Sequence, residues 1–203
     1  SPAGKVLRID PATGAGYRSN PFYDGNPSSV RSRVWAYGLR HPLRCTIRPG
    51  TGSTDPNAGT PGVLVIADIG ASAWEELDIA ATGGENFGWP CAEGRDARAD
   101  YAALHPAHGG CGSIGSADDP TAPSDPALVY HHSDPSLGVP AGPSGTSVTG
   151  GAFYGGPLYP AAYRGGYFFA DFALGWIRVA TFDASQRIAS VGSWHPQLFM
   201  ESH

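Results

Sequence analysis

Arginine and histidine stand side by side at positions 40 and 41, inside the run VWAYGLRHPLRC, between a glycine corner and a proline. A guanidinium fork suits a carboxylate through paired, charge-assisted hydrogen bonds, and it serves equally to tie one element to another through backbone carbonyls. Downstream, Asp68-Ile69-Gly70-Ala71 closes an apolar run, and Glu75 and Glu76 follow as neighbours. In a strand, adjacent side chains point to opposite faces, so these two glutamates are not an acid/base couple. One of them would support the Gly70 loop or pair with an arginine; the alternative is surface charge. His105, His108 and Cys111 (HPAHGGC) have a spacing that could bind a metal, yet no second cluster accompanies them and the zinc reading is weak. His131, His132 and Asp134 (YHHSD) form another polar group, with a solvated loop as the plainer alternative. Asp171 ends GYFFAD and is expected to accept hydrogen bonds from turn amides. No Ser-His-Asp signature, phosphate loop or dinucleotide fingerprint offers a different chemistry.

The elements that would position these residues read as short strands. KVLRID (residues 5–10) alternates and ends in the turn PATGAG. Residues 34–37 and 43–48 flank the GLRHP corner, and residues 62–68 form a continuous apolar run suited to a strand covered on both faces. Residues 76–80 read as a short strand, and residues 86–90 as the next corner. The pattern returns in residues 147–154, 166–171, 176–182 and 187–191. Between lies an insert-like stretch, 95–143, rich in Asp, Pro, Gly, Ser and His, with one strand candidate at 127–131; loops of such length are functional or mobile. The second half echoes the first, each with a hydrophobic strand ending in Ala-Asp (Ala67-Asp68, Ala170-Asp171) followed by a small turn and a further strand. A repeat of about forty to fifty residues, once the insert is discounted, suits the four-stranded blade of a β-propeller. A plain sandwich would not repeat the Ala-Asp endings.

The chain has 203 residues, enough for one domain, and glycine (29) and proline (19) make up close to a quarter of it. A hydrophobic share of 41% with five Trp, nine Tyr and eight Phe argues for a packed core rather than disorder. The net charge of −5 and the lack of a basic run give nucleic acid no electrostatic footprint. No apolar stretch is long enough to span a bilayer as a helix. Of three cysteines, Cys91 and Cys111 flank a polar loop and are the expected disulfide; Cys45 is expected as a buried free thiol or as the partner of a missing segment. A secreted, oxidising location fits this usage. Roughly two and a half to three blades are countable, so the chain is expected to be part of a larger ring, because a partial ring leaves apolar sheet faces uncovered.

Several motifs in order resemble one family, the quinoprotein glucose/sorbosone dehydrogenases and their Hedgehog-interacting relatives. YGLRHP resembles the family's G-L-R-N-P, with His41 in place of asparagine. ADIGASAWEELDIA resembles D-V-G-x-x-x-x-E-E-I-N, GGENFGWPCAEG resembles G-G-N-Y-G-W-P-x-x-E-G, and VTGGAFYGG…YPAAYRGGYFFADFALGWI resembles the strand pair near the ring's end. The resemblance implies an all-β, six-bladed β-propeller of which this chain covers roughly half, residues 1–203 forming one partial domain. It further implies pyrroloquinoline quinone (PQQ) and Ca²⁺ as cofactors and oxidation of a sugar at its C1 hydroxyl. Arg40 and His41 would contact the quinone, and the backbone carbonyls of Gly70 and Ala71, with Glu75 beside them, would serve the Ca²⁺ loop. The chain departs from the family pattern at Ile69 and Ala71, where Gln-Gly-Pro or a similar trio is common, and in the turn FALG after the second Ala-Asp, where a basic residue is usual. No segment before Val34 resembles the surroundings of the family's catalytic histidine, and no catalytic residue is assigned. The resemblance therefore leaves two readings: a secreted or periplasmic sugar dehydrogenase, or a non-catalytic extracellular propeller that recognises a protein or glycan.

Overall fold

The computed structural model describes residues 2–98, 100, 111 and 123–194. Two four-stranded antiparallel sheets dominate it. The first joins β3 (Pro42–Ile47), β4 (Leu64–Asp68), β5 (Trp74–Ala80) and β8 (Leu128–His131) in the order β3-β4-β5-β8. The second joins β9 (Val148–Phe153), β10 (Tyr167–Asp171), β11 (Trp176–Phe182) and β12 (Ile188–Ser193) as a simple meander. A two-stranded piece, β1 (Lys5–Leu7) with β2 (Val34–Tyr37), stands on the other side of the first sheet, and a small ribbon, β6 (Ala92–Glu93) with β7 (Asp96–Ala97), follows the Gly-Trp-Pro corner. The architecture is all-β: two complete propeller blades and part of a third. A short α-helical turn, α1 (Val30–Arg33), is started by Ser29, whose hydroxyl accepts the Ser32 amide at 3.0 Å.

The strand expected at 127–131 within the 95–143 stretch is present as β8. Residues 128–131 pair with β5 in register (Trp74 with His131, Leu77 with Leu128) and complete the first blade. The expected Cys91–Cys111 disulfide is formed, with Cα atoms 5.3 Å apart, and ties residue 111 to the Gly-Trp-Pro corner. Cys45 is a free cysteine exposed on β3, so of its two expected settings the buried one does not hold.

Strand alternation explains how the sheets stack. On one face of the first blade, Val65, Ala67 and Leu77 pack with Tyr130 and with Val148, Tyr167, Phe169 and Ala180 of the second blade. On the other face, Ile66 and Ala80 pack with Trp35, Ala36, Leu39 and Phe87. Each large apolar side chain among them contributes about 1.5–3 kcal/mol when removed from water, and both faces of β4 are so covered, which is why residues 62–68 read as a continuous apolar run. The blades approach closely at Gly150: a Cβ there would lie 2.9 Å from Arg44 Cβ and 3.1 Å from Ala67 Cβ. Conversely, Leu158 (89%), Phe172 (80%) and Leu174 (57%), in the loops after β9 and β10, are exposed.

The two Ala-Asp endings occupy equivalent places. Asp68, closing β4, accepts the amides of Arg40 (2.7 Å) and His41 (2.6 Å) just ahead of β3. Asp171, closing β10, accepts the amide of Ser147 (2.8 Å) just ahead of β9, the amide of Leu174 (2.9 Å) in its own turn, and the Tyr130 hydroxyl (3.0 Å). In each blade the aspartate at the end of the second strand fixes the entry of the first, and that is the physical content of the repeat.

Candidate functional site

Arg40 sits at the corner where the chain enters β3. Gly38, two residues earlier, has φ +77°, and a Cβ there would lie 2.7 Å from the Gly88 nitrogen and 2.8 Å from that of Phe87, so the corner requires glycine. With its amide held by Asp68, the exposed Arg40 side chain reaches the loop after β4 and donates from Nη1 to the carbonyls of Ile69 (3.0 Å) and Gly70 (2.6 Å). Its guanidinium also lies 5.6 Å from the centroid of the Trp89 ring, and that of Arg98 lies 5.0 Å from the same ring. Two cations therefore face one indole at the mouth of the corner.

The loop between β4 and β5 is organised around a carboxylate that the sequence reading quoted but did not single out. Glu93 Oε1 accepts the amides of Ala71 (2.7 Å), Ser72 (2.8 Å), Ala73 (2.9 Å) and Trp74 (3.2 Å). Successive amides turned onto one anion form a nest. Glu93 Oε2 pairs with Arg98 at 2.9 Å. Burial by itself raises the pKa of Glu93, but the amides of Ser72, Ala73, Trp74 and Ala71 outweigh it and hold the carboxyl below the usual glutamate range. The signal was present in the sequence as the terminal Glu-Gly of GWPCAEG.

The sequence-predicted residues divide between two places. Arg40 and Gly70 are brought into contact. His41 joins them through its backbone: its amide binds Asp68 and its carbonyl accepts the Ile69 amide at 3.2 Å. Ala71 is held by its amide to Glu93. Glu75 is fully buried at the junction of the two blades, where it accepts the Val148 amide at 2.9 Å and lies 3.0 Å from His132 Nε2. Burial pushes its pKa up to about 8; the Val148 amide opposes the rise and the nearby Asp171 adds to it. The surface-charge alternative for Glu75 and Glu76 does not hold, since both are buried. His131 turns the other way from His132, its ring edge on Trp74 at 5.0 Å, and Asp134 caps Ser136 within its own turn. His131 Nδ1 accepts the Asp134 amide at 3.1 Å, so these two meet in one turn while His132 faces Glu75. His105 and His108 lie outside the described residues.

On the opposite face of β5, Glu76 and Asp78 stand two residues apart, and Asp68 is the cross-strand partner of Glu76. One oxygen from each of these three buried carboxylates lies within 4.8 Å of the others. Burial raises Asp68 to about 6 and Glu76 to about 8, and sends Asp78 well above the carboxylate range.

Blade-like sheets stacked face to face, with polar side chains gathered at the corners between strands, define a segment of a β-propeller with an arginine-lined loop cluster. The chain belongs to the glucose/sorbosone dehydrogenase family, whose pattern matches residues 1–198. Among curated proteins, it is 31% identical over 156 residues to the HIPL1 protein of Arabidopsis thaliana, covering 76% of this chain and 19% of that one. It is 32% identical over 154 residues to the HIPL2 protein of the same plant, covering 76% and 18%. The chain thus spans about a fifth of the length of these relatives. Among solved structures, a glucose dehydrogenase superposes with a TM-score of 0.60 at 22% identity, over 97% of this chain and 45% of that one. The PQQ-bound aldose sugar dehydrogenase of Streptomyces coelicolor gives 0.51 at 20% identity, over 94% and 39%, and the apo soluble aldose sugar dehydrogenase of Escherichia coli gives 0.56 at 18%, over 94% and 43%. These structures share the fold.

Proposed function

We propose that this chain forms part of a secreted or periplasmic quinoprotein that oxidises a sugar with PQQ and Ca²⁺. The observation that carries the proposal is the exposed Arg40 guanidinium at the blade corner beside the Gly70 carbonyl, in a chain of the glucose/sorbosone dehydrogenase family. The donor set suits the cofactor pair in kind. A quinone bearing carboxylates calls for a cation with free N–H groups at a rim, and Arg40 presents one against Trp89. A hard divalent ion calls for oxygen ligands, and the carbonyls of Gly70 and Ala71 are such ligands on a loop made rigid by Glu93. PQQ, when bound, supplies the two-electron acceptor for the sugar's C1 hydrogen. The residues of this chain bind and orient: Arg40 and His41 would hold the quinone, and Glu75 braces the Gly70 loop from the blade junction. The Arg40 guanidinium donates to the Gly70 carbonyl, so binding of quinone and metal would require it to exchange that carbonyl for a carboxylate.

The full-length protein, titrated with PQQ and Ca²⁺, should show a quinone absorbance shift and sugar-dependent dye reduction. Arg40→Ala should weaken quinone binding by about 10–100-fold, the loss of one or two charge-assisted hydrogen bonds. No absorbance shift and no dye reduction would reject the reading.

A second reading is favoured by Ile69 and Ala71, which bring no polar side chain to the loop, and by the satisfied Arg40–Gly70 contact. It makes the chain part of an extracellular binding propeller, of the Hedgehog-interacting kind, that recognises a protein or glycan through its loops. Retention of a glycan or protein partner, unchanged in Arg40→Ala and independent of PQQ, would support it.

A further inference from the structure

Strand β3 has an arginine beyond each end. Arg40 stands ahead of it at the corner, and Arg48 follows its last residue, Ile47. Extended chain of this length spans about 20 Å, so Arg48 lies at the opposite end of the blade from the Arg40 corner. It is half-buried between the two blades. Its guanidinium lies 4.8 Å from the centroid of the Phe182 ring, and Nη1 donates to the side-chain carbonyl of Gln186. Among the described residues no carboxylate pairs with it. Gln186 is itself unusual. In the turn between β11 and β12, it is the one non-glycine residue with positive φ, +65°, among the described residues. Glycine would adopt that backbone without strain. Glutamine instead provides a neutral oxygen that aims the guanidinium and leaves its charge uncompensated.

With Arg48, the residues Pro49, Phe153, Tyr154, Gly155 and Gly165 line a cavity of about 200 Å³ at the blade junction. Sites for drug-sized ligands run to about 300–1,000 Å³, so this one suits a single ring with its substituents. The tyrosine wall is fixed: its ring stacks on Tyr159 with centroids 4.6 Å apart, and its hydroxyl oxygen accepts the Tyr159 amide at 2.7 Å. A Cβ at Gly155 or Gly165 would meet nothing within 4 Å, so the backbone there fronts open space. We propose that this cavity binds a uronic acid residue of an acidic glycan. An aimed guanidinium without a counter-ion selects a carboxylate through charge-assisted hydrogen bonds. The rings of Phe153 and Tyr154 suit the C–H face of a sugar, and the peptide groups at Gly155 and Gly165 suit its hydroxyls. The site is built from the two complete blades, and it rests neither on PQQ binding nor on the Arg40 corner. A flat aromatic acid offers the same carboxylate without hydroxyls, and the test separates the two.

The test is isothermal titration calorimetry of the full-length protein, purified without PQQ, with D-glucuronate, D-glucose and benzoate as probes. Glucuronate should bind at a single site with a Kd of about 1 mM, at least about tenfold tighter than glucose or benzoate. Arg48→Gln should weaken glucuronate by about tenfold or more, while Arg40→Ala leaves it unchanged. Gln186→Gly guards against a loss that only reflects misfolding. It should melt close to or above wild type, because the left-handed backbone is relieved, yet bind glucuronate several-fold more weakly, because Arg48 is no longer aimed. Equal binding of glucose, tighter binding of benzoate, or wild-type affinity in Arg48→Gln or Gln186→Gly would overturn the proposal. So would the absence of saturable glucuronate binding. Failure of quinone binding leaves these readouts untouched, so the two proposals fail separately.

Discussion

Glu93→Ala tests how the cofactor loop is held. In the wild type four consecutive amides, from Ala71 to Trp74, converge on one carboxylate oxygen, and Arg98 pairs with the other. A hydrogen bond to a charged group contributes about 1.5–3 kcal/mol, but four donors on one oxygen compete and do not add. Removing the carboxylate leaves part-buried amides without an acceptor, and a net loss of about 3 kcal/mol is the expected size. For a chain of this length each kcal/mol moves the melting temperature by about 2–4 °C, so Glu93→Ala should melt about 6–12 °C lower. Glu93→Gln keeps an acceptor at Oε1 but loses the charge and the Arg98 pair, and should fall between the two. The pH dependence supplies an independent readout. Because the folded carboxyl is more acidic than its unfolded value near 4.5, Glu93 contributes stability above that pH and loses it as the pH falls further. Wild type should therefore lose stability on acidification more steeply than Glu93→Gln. Circular dichroism melts from pH 3 to 8 measure both effects. If Glu93→Ala melts within about 1 °C of wild type, the nest contributes nothing measurable and the reasoning fails.

Glu75 should act in the opposite direction. Its folded pKa, about 8, lies above its unfolded value of 4.5, so the stability it contributes is complete below pH 4.5 and is lost as the pH rises toward 8, at up to about 1.4 kcal/mol per pH unit. Glu75→Gln should flatten that decline in a urea series across pH 5–8, with His132 still present as a titrating neighbour. Asp171→Ala, which strips an acceptor from Ser147, Leu174 and Tyr130, should cost about 2–4 kcal/mol in denaturant midpoint, with Asp171→Asn recovering part of it. Gly38→Ala forces both a positive φ and a clash with the 87–88 backbone; it should destabilise by more than about 1 kcal/mol and displace the Arg40 corner, seen as weaker ligand binding. Replacing Cys91 and Cys111 together by serine should lower stability by about 3 kcal/mol, the loop-closure value for their separation of 20 residues, and remove the response to reductant.

The amino-acid sequence determined the strands and their grouping. Residues 62–68 read as a doubly covered strand because both of its faces are apolar, and the Ala-Asp repeat marked equivalent positions in two blades; local composition carries that much. Arg40 and the Gly70 turn were also legible, since glycine and proline punctuate the corner on either side of a lone guanidinium. Tertiary structure decided what the acids do. Glu75, Glu76 and Asp78 share one short strand, and alternation shows only that the first lies on the face opposite the other two. Whether a face meets water or a neighbouring blade depends on packing between segments far apart in the chain, such as the contact of Glu75 with Val148. The same holds for Glu93, which is an unremarkable loop glutamate in the sequence until the 71–74 amides close around it. Charge in a sequence states what a side chain can be; only the folded surroundings, by supplying or withholding donors in a low-dielectric interior, settle what it becomes.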